Sequence, residues 1–240
     1  MSKRLRLILL SFLMLFVELA LIRWTGSNIL YLSYFSNFVL LGSFLGIGIG
    51  FLRAHARRNL FPFAPVALAF FVGFVLIFPV EIDRSGSDLI YFGYLTTTGL
   101  PTWVMLPIVF VAVAGVMAMI AEGVARTFAE FEALEAYRLD IAGSICGIVA
   151  FSLLSFVWAP PLAWGIVAAL LFALLLRGHM RALQWLALAG LVFMLGRETI
   201  VPEWSWSPYY KVQVGEADGT GRVVISANGI PHQAISPTAQ

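Results

Sequence analysis

The sequence predicts an all-α integral membrane bundle of about seven transmembrane helices, followed by a short C-terminal β-hairpin. Of the 240 residues, 60% are hydrophobic and only 12% are charged, whereas about a quarter of the residues of a soluble domain are charged. The apolar residues fall into separate runs of roughly the ~20 residues that a helix needs to cross a bilayer. After Arg197 the composition becomes polar and rich in turn residues, which predicts a change of structure there.

Each long apolar run is one predicted span. The seven runs are 5–23, 29–52, 61–80, 102–122, 139–158, 161–176 and 182–197. The segment 89–101 is too short to cross a bilayer and contains three threonines and two glycines, so an interfacial or re-entrant piece fits it better. We therefore divide the chain into a multi-span transmembrane domain, residues 1–198, and a polar tail, residues 199–240.

Lysine and arginine predict the orientation of the spans, because cytoplasmic loops are enriched in them. With an inside N-terminus, the inner segments hold Lys3, Arg4, Arg6, Arg53, Arg57, Arg58, Arg126, Arg138, Arg177 and Arg181. The outer connections hold Arg23, Arg84 and Arg197. This bias predicts a multi-pass membrane protein with a cytoplasmic N-terminus. An odd number of spans then places the tail outside.

Two glycine series predict close helix packing. Gly42, Gly46 and Gly50 lie four residues apart, as do Gly143 and Gly147. Small residues at this spacing let helix backbones approach each other in lipid. We expect these faces to pack within the bundle, with a homo-oligomer formed through them as the alternative.

The stretch VELALIRW places two ionisable residues at the end of the first apolar run. Arg23, beside Trp24, is predicted to be an anchor at the membrane interface. Glu18 lies five residues earlier, so the two side chains project roughly 140° apart and do not form an i,i+4 pair. Charged groups within a bilayer are costly and usually face the bundle interior, so Glu18 needs a partner elsewhere or a proton.

Polar residues of the second run are candidate neighbours for Glu18. Tyr34 and Asn37 lie three residues apart and share a helix face. They predict a polar cluster with Glu18, which is either a structural hydrogen-bond network or a site for a substrate or ion. Asp140 is predicted to be a helix N-terminal carboxylate, since the helix dipole favours negative charge there.

Catalytic and metal-binding patterns are not evident. The three histidines, His55, His179 and His232, have no metal-ligand spacing, and Cys146 is the sole cysteine. No metal or cofactor is therefore predicted. A net charge of +2 gives no reason to expect nucleic acid as a partner, and the lipid bilayer is the expected partner.

The polar tail predicts two strands. Residues 204–214 alternate like a strand, a turn containing Asp218-Gly219 follows, and VVISANG forms a second strand. Because an isolated hairpin is marginally stable in water, we expect it to be the beginning of a larger domain.

Several stretches together resemble the membrane region of bacterial spermidine synthase-like proteins. They are ELALIRW, SNILYLSYFSNFVLLGSFLGIG, YRLDIAGSICGIVAFSLLSF, WSPYYKVQV and NGIPHQ. The resemblance implies a protein of the bacterial inner membrane with an aminopropyltransferase-type domain, which takes decarboxylated S-adenosylmethionine and a polyamine as substrates. Tyr209 and Gln233 match positions of that family's N-terminal strands.

The nucleoside-binding Gly-rich loop and the catalytic Asp that the resemblance implies do not occur in these 240 residues. We therefore expect this chain to anchor or serve such a domain without itself catalysing the transfer. A small-molecule transporter and a ligand-free membrane scaffold are the alternatives.

Overall fold

The computed structural model describes residues 1–35, 37–82, 97–178, 180–215, 217, 219 and 221–236. These residues form a mostly helical body and a small C-terminal antiparallel sheet. The helices are α1 (Lys3–Asn28), α2 (Leu30–Tyr34), α3 (Asn37–Leu52), α4 (Ala64–Ile77, after a 3-10 turn at Phe61–Phe63), α5 (Thr102–Phe128), α6 (Ala133–Phe156), α7 (Pro161–Leu175) and α8 (Ala182–Thr199). The predicted interfacial segment 89–101 lies mostly outside the described residues.

Three of the described helices are long and apolar enough to cross a membrane. They are α1, α5 and α6, with 26, 27 and 24 residues, which correspond to lengths of ~36–41 Å. Shorter apolar helices lie at Asn37–Leu52, Phe61–Ile77 and Pro161–Leu175. Large apolar side chains are also exposed on most of the helices, for example Leu41, Phe70, Val111, Leu153, Leu170 and Phe193. Such a surface is expected of a membrane-associated protein, because soluble monomers rarely expose large apolar patches.

The second predicted span is not one continuous helix. Residues 29–52 form the single-turn α2 and the longer α3, and Phe35 between them has a non-helical backbone (φ −124°, ψ 50°). Ile29 ends α1 in an extended conformation and forms an isolated bridge with Val80. The first span is also longer than predicted, since α1 continues to Asn28.

The glycine series pack within the chain, as predicted. A Cβ on Gly42 would lie 3.3 Å from the carbonyl oxygen of Phe110, and one on Gly50 would lie 2.6 Å from that of Ala118. The contacts advance together along both helices, so α3 and α5 run parallel.

The second glycine series joins α6 to α1 in the same way. A Cβ on Gly143 would lie 3.0 Å from the carbonyl carbon of Ile8, and one on Gly147 would lie 3.1 Å from Cα of Phe12. Close parallel contact of this kind allows backbone packing that larger residues would prevent. Both glycine faces are thus engaged inside this chain.

The tail forms four described strands where the sequence predicts two. They are β3 (Trp204–Trp206), β4 (Lys211–Val214), β5 (Val223–Ala227) and β6 (Ile230–Ile235), which pair in the order β3-β4-β5-β6. A second, two-stranded sheet pairs β1 (Glu81–Ile82) with β2 (Thr97–Thr98). The predicted pairing of the two tail strands exists between β4 and β5.

Two turns account for the additional strands. The predicted strand 204–214 is interrupted at Ser207–Tyr210, where Pro208 cannot donate to a ladder and the Ser207 hydroxyl accepts from the backbone N–H of Tyr210 at 2.9 Å. Asn228 and Gly229 both have positive φ, 50° and 78°. That is the conformation of a type I′ hairpin turn, for which Asn-Gly is strongly preferred.

The two ends of the helical body differ in chemistry. At one end Lys3 and Arg4 pair with Glu130 and Glu135, both at 2.7 Å, and Arg6 donates to the carbonyl of Leu175. We call this the basic end. At the other end the four-stranded sheet contacts the last turns of α1 and α8, and we call it the sheet end.

Candidate functional site

A buried ion pair joins the four-stranded sheet to the helices at the sheet end. Nζ of Lys211, at the start of β4, lies 2.9 Å from Oε1 of Glu198 in α8. The two residues are 6% and 4% exposed. The indole Nε1 of Trp24 in α1 donates to the other carboxylate oxygen of Glu198 at 2.7 Å. Because buried charges are stable only when they are paired and hydrogen-bonded, this carboxylate, held by both partners, meets that condition.

Lys211 also contacts Asn28 and Trp204. Its Nζ donates to the side-chain oxygen of Asn28 at 2.9 Å and lies 3.3 Å from the ring centroid of Trp204. A lysine over a tryptophan face gains cation–π attraction, which is larger where water is excluded. One lysine on the sheet therefore contacts both α1 and α8.

Asn228 adds a second connection between the sheet and α1. Its side-chain oxygen accepts from the hydroxyl of Ser27 at 3.2 Å and from the backbone N–H of Lys211 at 2.9 Å. Its carbonyl oxygen accepts from the hydroxyl of Ser33 at 3.0 Å. The β5–β6 turn is thus held against the junction of α1 and α2. We call the residues of these contacts, together with Arg23, Trp164 and Trp206, the docking layer.

Arg23 lies within the docking layer, where the sequence predicts an interfacial anchor. Its guanidinium carbon lies 4.8 Å from the ring centroid of Trp164 in α7 and 5.7 Å from that of Trp206 in β3. Its Nη2 donates to the carbonyl of Ser207. The side chain is only partly exposed and connects α1, α7 and the sheet.

The predicted cluster around Glu18 has a different environment. Glu18 is buried in α1 at 3% exposure, and its Oε1 has no hydrogen-bond partner among the described residues. Asn37 is exposed at the start of α3, and the side chain of Tyr34 lies outside what the structure describes. The cluster of Glu18 with Tyr34 and Asn37 therefore stays a prediction. Ser43 in α3 is likewise buried, and its hydroxyl has no partner within the described ranges.

Asp140 does not lie at a helix N-terminus, so that interpretation is wrong. α6 begins at Ala133, seven residues before Asp140. Its carboxylate instead accepts a 2.6 Å hydrogen bond from the hydroxyl of Ser11 in α1. Asp140 therefore contributes to the α1–α6 contact. Of the residues that the family resemblance singles out, Tyr209 is exposed in the turn between β3 and β4, and Gln233 is exposed on β6.

A second buried carboxylate lies at the basic end. Glu122 in α5 is fully buried and accepts from Nε of Arg53 at 3.0 Å and from Nε of Arg126 at 2.8 Å. Arg126 also donates to the carbonyl oxygens of Ala56 and Arg58. The loop after α3 is thereby fixed against the end of α5.

Sequence reasoning missed Glu198, Lys211, Trp164, Trp206 and Glu122. Glu198 follows Arg197 at the edge of a span, and Lys211 lies in an alternating strand. The local sequence therefore predicts a solvent-exposed side chain for each. The Asn-Gly pair at 228–229 was an available signal for a hairpin turn, and it would have located the turn that meets α1.

Within the described residues, no three His, Cys, Asp or Glu side chains come together in a way that could hold a metal ion. The buried ion pair and hydrogen bonds at the sheet end hold the sheet against α1 and α8, and they keep the paired charges away from water. No known protein family, curated protein or solved structure matches this chain.

Proposed function

We propose that this chain is the membrane-embedded region of a spermidine synthase-like protein and that it holds an aminopropyltransferase-type domain on a fixed mount at the sheet end. The observation that carries the proposal is the buried contact of Lys211 with Glu198, which is joined by Trp24. A flexible tether needs no desolvated ion pair at its base. The buried pair instead holds the sheet in one orientation against α1 and α8.

The proposal includes the membrane arrangement. The helices cross in seven passes, with α2 and α3 together forming the second, and the basic end faces the cytoplasm. The excess of Lys and Arg at that end supports this orientation. The sheet then lies on the outer face, since α1 runs from the basic end to the sheet end. In this arrangement the 240 residues act as anchor and mount and perform no aminopropyl transfer.

Cysteine labelling tests the arrangement. In a Cys146→Ala background, Ser205→Cys places a thiol on an exposed position of β3, and His55→Cys places one at the basic end. We expect a membrane-impermeant maleimide to label Ser205→Cys in intact cells and His55→Cys only after the membrane is permeabilised. The opposite pattern would reject the proposed orientation.

A spin label at the same Ser205→Cys position tests the mount. We expect the label to report motion coupled to the helical body, and expect it to become more mobile in Lys211→Met than in the wild-type protein, because that variant leaves Glu198 buried without its cation. A label that is equally mobile in both proteins would contradict a fixed mount. The family assignment is tested separately, because it predicts that the native reading frame continues past codon 240 into a Gly-rich nucleoside-binding loop.

A transporter is the second candidate, and the environment of Glu18 favours it. A buried carboxyl without a described partner, in a helix long enough to cross the membrane, could take up a cation or proton during transport. Uptake of a labelled polyamine into vesicles that Glu18→Gln abolishes would support this alternative. Uptake equal to that of protein-free vesicles would reject it.

A further inference from the structure

A group of buried hydrogen-bond donors without acceptors surrounds Arg23. Its Nε and Nη1 are buried, as are the indole Nε1 atoms of Trp164 and Trp206, and none of these four atoms has a partner in the described part of the chain. The two indoles are in mutual contact, with centroids 5.2 Å apart and planes at 82°, and the guanidinium lies against both. The four donors therefore belong to three side chains in mutual contact.

Such a group is unusual in a native structure. Buried donors are paired in the great majority of cases, because an unpaired one loses its hydration without compensation. All four atoms here are N–H donors, so they cannot satisfy one another. What the site requires is an acceptor, and several acceptor oxygens on one group would satisfy more than one donor.

Charge indicates that the acceptor is an anion. Lys211 lies 5.8 Å from the Trp206 ring centroid, but Glu198 neutralises it. Arg23 makes no ion pair within the described ranges, and its one described bond is to the Ser207 carbonyl. The positive charge of Arg23 is thus left beside two indoles. This charge excludes a polycation as the ligand of this site.

We propose that Arg23, Trp164 and Trp206 form a binding site for a single oxyanion group, either a phosphate or a carboxylate. The guanidinium binds such a group through its charge and through one of its two unpartnered donors, Nε or Nη1, which lie on different edges of the plane. The indole N–H groups bind further oxygen atoms, and the ring faces keep water away. The carbonyl of Ser207, in the turn Ser207–Tyr210, accepts from Nη2 of the same guanidinium.

Two sources supply this chemistry, a phospholipid headgroup and a soluble anion. The test follows the thermal unfolding of the purified chain in a zwitterionic detergent while sodium phosphate or sodium acetate replaces sodium chloride at constant ionic strength. A parallel arm uses nanodiscs of phosphatidylcholine alone or with added phosphatidylglycerol. We expect the unfolding temperature to rise with at least one of these anions.

The variants separate the site from general stability. Arg23→Gln should abolish the anion-dependent rise. Trp164→Phe and Trp206→Phe keep an aromatic ring and remove one donor, so each should weaken anion binding roughly ten-fold. Trp185→Phe, at an exposed position near the start of α8, is the matched control and should bind like the wild type.

An unfolding temperature that rises with phosphate and acetate identifies the ligand as a soluble anion. An unfolding temperature that rises with phosphatidylglycerol alone identifies it as a lipid headgroup. The proposal is overturned by the absence of any anion-dependent rise, or by one that Arg23→Gln retains. If Arg23→Gln does not fold, unchanged affinity in the double Trp→Phe variant overturns it. None of these variants alters the Lys211–Glu198 pair. A result that rejects anion binding therefore leaves the proposed attachment of the sheet to the helices untouched.

Discussion

Lys211 and Glu198 are only 13 residues apart in sequence, yet their side chains meet at 2.9 Å across the boundary between the sheet and the helices. Both are almost fully buried, and the carboxylate is shared with Trp24. A second ion pair of this chain has a similar distance and a very different environment. Arg4 and Glu135 lie 2.7 Å apart with side chains that are 71% and 39% exposed. The two pairs allow burial to be tested separately from distance.

Removing one partner of the buried pair should be costly. Lys211→Met leaves the Glu198 carboxylate buried with Trp24 as its remaining described donor. We expect the free energy of unfolding to fall by about 3–5 kcal/mol. The double variant Lys211→Met/Glu198→Leu should recover most of the loss, because no charge is then left unpaired. Denaturant unfolding in detergent micelles measures both. In the control, Arg4→Gln should cost at most ~1 kcal/mol, and an equal loss in the two single variants would contradict the role of burial.

The α3–α5 contact should tolerate no side chain at its centre. A Cβ on Gly46 would lie 2.9 Å from both Cα of Ala114 and Cβ of Met117, so Gly46→Ala should destabilise the protein by about 1–3 kcal/mol through overpacking. Gly48 has no atom within 4 Å of such a Cβ. Gly48→Ala should therefore be neutral or stabilise the helix by up to ~1 kcal/mol. Thermal unfolding compares the two. Equal effects would mean that the close approach does not limit stability.

The sequence was sufficient to predict features that depend on local pattern. The glycine series at Gly42–Gly50 and Gly143–Gly147 predict tight helix contacts, because spacing along a helix determines which residues share a face. The β4–β5 pairing also follows from alternation and turn residues. The break at Phe35 could not be predicted in this way, since neither proline nor glycine marks it.

The docking layer could not be predicted, because its residues come together through tertiary packing. Trp24 and Glu198 are 174 residues apart, and each has an ordinary local interpretation as a residue near the end of a span. Glu122 illustrates the same limit. From the sequence it is a polar residue at the end of the fourth span, whereas in the structure it pairs with Arg53 from the loop after α3.

We expect Glu122 to hold the loop at the basic end in place. Glu122→Leu leaves the guanidinium groups of Arg53 and Arg126 without their shared carboxylate. We expect a loss of about 2 kcal/mol, less than for a fully buried pair because both arginines remain partly exposed to water. Hydrogen exchange should show faster exchange in residues 53–58, which Arg126 contacts through two carbonyl oxygens. Unchanged exchange there would show that the ion pairs do not hold the loop.

Glu18 should respond in the opposite way to Glu122, although both are buried glutamates in helices long enough to cross a membrane. The Oε1 of Glu18 has no partner among the described residues, so replacing the carboxyl removes the cost of an unpaired polar group without breaking a described bond. We expect Glu18→Leu to leave stability unchanged or raise it by about 1–3 kcal/mol, and Glu18→Gln to fall between Leu and the wild type. Thermal unfolding beside Glu122→Leu provides the comparison. If Glu18→Leu were destabilising by as much as Glu122→Leu, the carboxyl would have to be bound to a group that the described contacts do not include, and a bound cation or substrate would then become the better account.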